Sequence, residues 1–284
     1  MTLSRVNDPI VRYTWGEMLD VACSPAASRN DRTSRLIYPD GDKWAGCRTF
    51  EDAVNLARNG WHEVTDATMA RMLPLVEAVS SQMEQENYYY DTTGMTFDVA
   101  RVLENEPECW INHESVIREA PGKVLRLVYN FTSSAGVTRE VIIAKGAAIA
   151  ALVQLLERGG IRVQVDTVEY SGHCPNRDYR LPRVKYQMWV TAKEANQDLD
   201  IPRLMFAMAN PAMQRRISWG VHEAIWPHFG GGYYGSVGEV DDQGDIYIGC
   251  SMYGDAQWTS PKLAQQWIRE QLQAQGIKLI GGVA

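Results

Sequence analysis

From Lys123 onward, apolar and polar positions follow two alternating periods, and this pattern predicts an α/β fold. Runs that are apolar throughout or at every second position predict strands, and runs that are apolar every three or four positions predict helices. The predicted strands are 124–129, 161–170, 183–191, 245–250 and 277–280, and the predicted helices are 138–160, 201–226 and 260–276. This order favours a mainly parallel sheet with helices on both faces and one antiparallel edge strand.

Residues 1–120 lack this regular alternation, and we interpret them as a mixed, mostly helical N-terminal region. Residues 22–43 are polar and rich in turn formers, which predicts a loop. The domain prediction is therefore a division into 1–120 and an α/β domain at 121–284.

Two helices are predicted within the N-terminal region. Thr49 is placed as the N-cap of the first, with Asp52 three residues on and Gly60 as the stop signal. The second is predicted to run from Thr68 to about Glu86.

Composition narrows the classes of function. Of 284 residues, 45% are hydrophobic and 22% are charged, as is usual for globular proteins, and the net charge is -7. An acidic chain does not favour broad capture of nucleic acid, which needs clustered Lys and Arg. The segment MTLSRVNDPIVRYTW has no apolar signal-peptide core, and the five cysteines are scattered. We therefore expect a cytoplasmic protein with reduced thiols and no membrane partner.

Candidate chemistry begins at the stretch VYNFTSSAGVTREVI (128–142), where the first predicted strand ends. Asn130, Thr132 and Ser134 occupy alternate positions there, and parallel sheets bind ligands beyond the carboxyl ends of their strands. Three interpretations remain open for this turn. The small polar residues cap the following helix, they hold a metal, or the turn before that helix binds an anion. Capping is favoured.

The pentapeptide from Asn130 to Ser134 resembles the metal-adhesion loop of von Willebrand factor type A domains, whose pattern is Asp-x-Ser-x-Ser. The likeness implies a Rossmann-like fold for the C-terminal region. It also implies a metal site completed by two later loops. The candidates are Asp200, with Asp198 as the alternative, and Asp255, with Ser251 as the alternative. Asn130 replaces the expected carboxylate and removes a charge that Mg²⁺ favours. We expect no cofactor, with Mg²⁺ as the alternative.

Other candidates are weaker. Cys174 follows His173 in a turn and is a nucleophile candidate, although a plain turn cysteine is the simpler interpretation. Aromatic residues stand in several predicted loops, among them 88–90, 110 and 233–234. They suit either protein contacts or ordinary core packing.

Two segments, WAGCRTFEDAVNLARNGW (44–61) and DTTGMTFDVARVLENEPECW (91–110), resemble an uncharacterised protein family common in tailed-phage genomes, and 144–165 and 206–216 fit the same family. This resemblance implies a phage or prophage origin and brings no catalytic residues. We therefore expect a non-enzymatic interaction or assembly protein that binds a phage or host protein, with self-association as an option. It would act in the cytoplasm of the bacterial host or in the virion. The alternatives are a metal-dependent enzyme or ligand binder using the 130–134 turn, and a nucleic-acid-binding protein.

Overall fold

The computed structural model describes residues 10–25, 33–37, 41–63, 86–115, 123–173, 184–225, 237–252, 258 and 260–276. They form two β-sheets and the helices that accompany them. The strands are β1 (Ile10–Thr14), β2 (Glu86–Asp91), β3 (Thr96–Phe97), β4 (Trp110–Ser115), β5 (Val124–Asn130), β6 (Arg162–His173), β7 (Val184–Lys193) and β8 (Ile246–Ile248). The α-helices are α1 (Trp15–Ala22), α2 (Gly41–Trp44), α3 (Phe50–Asn59), α4 (Val99–Leu103), α5 (Arg139–Arg158), α6 (Ile201–Ala209), α7 (Trp219–Ile225) and α8 (Pro261–Ala274). A π-helical segment, Met213–Ser218, leads into α7.

The larger sheet has five strands in the order β1-β7-β6-β5-β8. Strand pairs β1–β7, β5–β6 and β5–β8 are parallel, whereas β6–β7 is an antiparallel hairpin. The predicted mainly parallel sheet is thus confirmed. Strand β7 is not at the edge, because β1 from the N-terminal region pairs along it.

The smaller sheet is antiparallel, with the order β2-β4-β3. Residues 86–115, which we call the small-sheet unit, comprise these strands and α4. The described residues between 10 and 115 contain four strands besides helices α1 to α4, so the region is mixed, and its mostly helical character is not confirmed. The domain boundary near residue 120 stays a prediction.

The predicted helix signals explain several helix ends. Thr49 caps α3 through its side chain, which accepts a hydrogen bond from the amide of Asp52, and the Asp52 carboxylate accepts one from the amide of Thr49. Gly60 ends α3 with φ +84°, a conformation that favours glycine. The predicted helix from Thr68 and the predicted strand at 277–280 lie outside the described residues.

The described helices cover one face of the five-stranded sheet. Leu125, Leu127 and Tyr129 of β5 join one large buried cluster with residues of α1, α3, α5, α6, α7 and α8. The opposite side chains of β5, Arg126 and Val128, face a small cluster that contains no helical residue among those the structure describes. The prediction of helices on both faces is therefore not confirmed by the described part of the chain. Polar side chains on this face, such as Arg126, Gln164 and Asp166, would cost free energy if a helix buried them without hydrogen-bond partners.

We call this second side of the sheet the open face. Residues 237–245 lie across part of it, and Val240 packs there against Val128, Val168 and Trp189. Within the described residues, no helix is long and apolar enough to cross a membrane.

Candidate functional site

The turn that follows β5 is buried and internally bonded. The amide oxygen of Asn130 accepts a hydrogen bond from the Thr132 amide at 3.1 Å. Its nitrogen donates to the carbonyl of Gly238 at 2.8 Å and to the hydroxyl of Tyr247 at 3.4 Å. Both ends of this side chain are therefore occupied by the protein itself, as a buried amide requires.

The next residues of the turn also bind distant parts of the chain. The Thr132 hydroxyl accepts from the amide of Tyr170 at 2.7 Å, and the Ser133 hydroxyl donates to Gln214 at 2.6 Å. The Ser134 amide donates to the carbonyl of Ser251 at 3.0 Å. The amide of that serine donates back to the Thr132 carbonyl at 2.8 Å. These bonds extend the β5–β8 pairing and join the turn to the loop after β8.

Helix capping is not what these side chains do. Thr138 stands at the N-cap position of α5 with an extended backbone, but its side chain makes no capping hydrogen bond. Thr132 and Ser133 bind β6 and the π-helical segment instead. Of the predicted capping role, only the location of Thr138 at the N-cap position is confirmed.

The predicted metal ligands that the structure describes do not all lie together. Asn130, Thr132 and Ser134 lie together, but Asp200 follows the carboxyl end of β7, which pairs beside the amino end of β6. Asp200 caps α6 there, accepting a hydrogen bond from the Arg203 amide at 3.0 Å. The hairpin between β6 and β7 causes this separation, because it reverses the direction of β7.

Asp255, the other predicted ligand, lies outside the described residues, as does Cys174. Across the ranges that the structure describes, no three His, Cys, Asp or Glu side chains are arranged to hold a metal ion. The turn also has a fixed cation nearby. The buried Lys145 ammonium donates to the Gly249 carbonyl at 2.6 Å and to the Ser251 hydroxyl at 2.9 Å. A neighbouring positive charge disfavours binding of a second cation.

A polar cluster beside this turn was not predicted. Glu239 accepts hydrogen bonds from the hydroxyl of Tyr247 and from the thiol of Cys250, the latter at 3.3 Å. Partial burial, followed by this bond to Glu239, raises the pKa of Tyr247 to about 12. The hydroxyl is therefore neutral at ordinary pH and acts as a donor.

A groove crosses the open face away from this turn, at a cavity of about 260 Å³. The groove is lined by Arg12, Tyr13, Arg126, Gln164, Asp166, Trp189, Thr191 and Asp242. These side chains come from four strands and from the 237–245 segment, so no short sequence motif predicts the site. We call this site the open-face groove.

Charges in the open-face groove are paired. Arg126 Nε lies 2.6 Å from Asp166, and Arg126 Nη1 lies 2.5 Å from Asp242. The hydrogen bond with Asp242 is the largest influence that raises the pKa of Arg126, and the same bond lowers the pKa of Asp242. Both groups are therefore charged across the physiological range.

The small-sheet unit has a different surface. Seven of the thirteen large apolar side chains that are exposed in the described residues lie between positions 89 and 103. Val99, Val102 and Leu103 form the apolar stripe of α4, a helix that buries no residue. Such a stripe normally faces a protein core. Here it faces solvent, which is typical of a contact surface.

Order within the small-sheet unit comes from polar contacts. Arg101 lies over the Tyr90 ring at 3.7 Å and donates to the Glu108 carbonyl at 2.9 Å. The Tyr90 hydroxyl donates to Asp98 at 3.0 Å, and Asp98 caps α4. These contacts hold the exposed stripe in place beside the strands.

A family model described as a domain of unknown function, DUF7192, matches residues 13–279. The chain belongs to this family. The DUF7192 match includes the whole small-sheet unit and every residue that lines the open-face groove except Arg12, which precedes the matched range. The resemblance to an uncharacterised family is confirmed in this form. No curated protein and no solved structure matches the chain.

Proposed function

We propose that this chain is a non-enzymatic interaction protein that binds a basic protein partner through the small-sheet unit. The observation that carries the proposal is the apolar stripe of α4, in which Val99 is 61% and Leu103 is 79% exposed. Leaving such side chains in water costs free energy that burial against a partner would recover. Surfaces of this kind are typical of protein–protein contacts.

The charge of the small-sheet unit indicates the chemistry of the partner. Residues 86–115 contain seven Asp or Glu residues and one Arg, a net charge of -6 with His counted as neutral. A basic surface with apolar residues at its centre complements it, and opposite charges would also accelerate association. Self-association through this surface is disfavoured, because two copies would bring like charges together.

The proposed setting is a tailed phage or prophage, with the protein acting in the cytoplasm of the bacterial host or in the virion. This part rests on the resemblance of segments such as 44–61 and 91–110 to proteins of phage genomes. We also propose that the C-terminal region is a degenerate domain similar to von Willebrand factor type A. Counting from β5, its strands lie in the order 3-2-1-4, with which doubly wound sheets begin.

Binding of a labelled amphipathic peptide with alternating leucine and lysine blocks tests the proposal by fluorescence anisotropy. We expect the wild-type protein to bind it, and added salt to weaken the binding because charge attracts the peptide. The variant Val99→Ser/Val102→Ser/Leu103→Ser should bind at least tenfold more weakly, about 1.4 kcal/mol. The same peptide with glutamate in place of lysine should not bind.

The matched control is Leu263→Ser, which removes a partly exposed leucine from α8, a helix that packs with the larger sheet. It should leave peptide binding unchanged. Equal binding by the triple variant and this control would contradict the proposal. A dimer in sedimentation that the triple variant dissolves would replace the basic partner with a second copy of the chain.

A further inference from the structure

Two arginines from distant strands meet over one aromatic ring on the open face. Arg12 belongs to β1 and Arg126 to β5, with β7 and β6 between them. Their guanidinium carbons lie 4.6 Å and 5.5 Å from the ring centroid of Trp189. The two guanidinium groups repel each other because both are positively charged. The face of the Trp189 ring attracts both of them and so helps to hold them close together.

A single carboxylate lies between the two guanidinium groups. One oxygen of Asp242 is 3.4 Å from Arg12, and the other is 2.5 Å from Arg126. A carboxylate shared in this way by two guanidinium groups is the arrangement by which arginines recognise oxyanions. In this structure the protein supplies that carboxylate from its own 237–245 segment.

The two carboxylates that face Arg126 are held differently. Asp166 stands on β6 with its side chain 6% exposed, and it accepts hydrogen bonds from Thr191 at 2.8 Å and Gln164 at 3.1 Å. Asp242 has a side chain that is 43% exposed and lies on a loop. Asp166 is therefore a fixed partner of Arg126. A ligand carboxylate could replace that of Asp242 with less disturbance of the surrounding contacts.

The loop that carries Asp242 is anchored on both sides of it. Val240 is buried against the sheet on one side. On the other side, the Asp245 carboxylate accepts from the Arg126 amide at 2.8 Å, and the Asp245 amide donates to the Arg126 carbonyl at 2.9 Å. The exposed residues 241–243 between these anchors can therefore shift while both anchors stay in place.

We propose that Arg12 and Arg126 above Trp189 form a binding site for the carboxylate of an acidic ligand, and that Asp242 occupies this site in the unliganded chain. The adjoining cavity of about 260 Å³ gives space for the rest of a small ligand or for a peptide side chain. Gln164 and Thr191 add polar contacts on its wall. This site is separate from the small-sheet unit and takes a ligand of opposite charge.

Removing the internal competitor should strengthen binding. The Asp242 carboxylate, held on a short loop, competes with an external ligand at an effective concentration in the millimolar range. The apparent affinity for that ligand falls as Asp242 fills a larger fraction of the sites. We expect Asp242→Asn to bind succinate at least tenfold more tightly than the wild type in calorimetry. In the wild type, succinate should speed amide hydrogen exchange at residues 241–243, because the ligand displaces Asp242.

Two variants make this result specific. Adding Arg12→Gln to Asp242→Asn should abolish the gain, and Arg12 is exposed enough for the change not to threaten folding. Glu106→Gln frees Arg101 from an ion pair of similar exposure, at 3.2 Å, in the small-sheet unit. That control should gain no succinate binding, because it lacks a second converging arginine.

A second probe tests whether the ligand's carboxylate belongs to a small acid or to an acidic protein segment. A pentaglutamate peptide that binds Asp242→Asn much more tightly than succinate would assign the ligand to an acidic protein segment, and the reverse would assign a free small acid. The proposal is overturned if Asp242→Asn gains no affinity for either probe. It is equally overturned if Glu106→Gln gains as much, or if only inorganic phosphate binds.

Discussion

The five-stranded sheet and the small-sheet unit use apolar side chains in opposite ways. On the larger sheet, alternate strand residues such as Leu127 are fully buried beneath the helices. In the small-sheet unit, Leu103 belongs to the apolar stripe of α4, and yet it points into solvent. A periodic pattern therefore identifies the apolar side of an element but does not decide whether this chain or a partner covers it.

The largest expected effect compares two leucines on helices. Leu152 of α5 is fully buried, and Leu152→Ala should lower the free energy of unfolding by about 2–5 kcal/mol because it leaves a cavity. Leu103→Ala on α4 should change it by no more than about 0.5 kcal/mol. Urea denaturation measures both. Equal losses would show that Leu103 is buried in solution and would remove the contrast between the two regions.

A second pair of variants compares two asparagines whose amide nitrogen donates to a carbonyl. Asn130→Asp would turn a buried donor into a carboxylate oxygen against the Gly238 carbonyl, at a cost of at least about 2 kcal/mol. Asn112→Asp makes the same change at the Thr93 carbonyl, where water has access, and should cost less than about 1 kcal/mol.

Magnesium turns the first of these variants into a test of the predicted metal site. We expect the Asn130→Asp protein to show the same denaturation midpoint with and without Mg²⁺, because Asp200 is remote. Recovery of stability with Mg²⁺, together with heat of binding in calorimetry, would instead support the metal interpretation of the 130–134 turn.

The smallest expected effect is a pH dependence confined to the small-sheet unit. The hydrogen bond from Tyr90 is the main cause that lowers the pKa of Asp98. Asp98 therefore supports α4 fully above its ordinary pKa of about 3.9, and this support is lost as the pH falls through the lowered value. Amide exchange at Ala100 and Arg101 should rise on acidification while α5 is unaffected.

Tyr90→Phe provides the control for this titration. Without the phenol hydroxyl, the pKa of Asp98 followed by NMR should move up towards the ordinary carboxyl value. An unchanged titration would show that the backbone donors of α4, rather than Tyr90, set the charge state of Asp98.

Much of the C-terminal fold was predictable because its signals are local. The strand ending at Asn130, the helix from Arg139 to Arg158 and the β6–β7 hairpin follow from periodicity and turn residues within short windows. The cap at Thr49 was predictable for the same reason. Strand β1 was missed, because five residues of moderate polarity become a strand only through pairing with β7.

The candidate sites were less predictable. The sequence correctly drew attention to Asn130, but its partners Gly238 and Tyr247 are more than 100 positions away. Arg12 and Arg126 lie 230 and 116 positions from Asp242. No spacing rule connects such residues, since their proximity depends on strand order and on the path of the 237–245 segment.

The sequence by itself determined the α/β alternation, the positions of the main helix ends and the acidic composition of residues 86–115. These properties depend on neighbours a few positions apart, where backbone geometry fixes which side chains share a face. Only the tertiary structure decided that the described helices cover one sheet face, that the 130–134 turn is occupied by the protein's own bonds, and that two arginines share Asp242. Those outcomes depend on which strands pair and in which direction, and short-range patterns do not encode that choice.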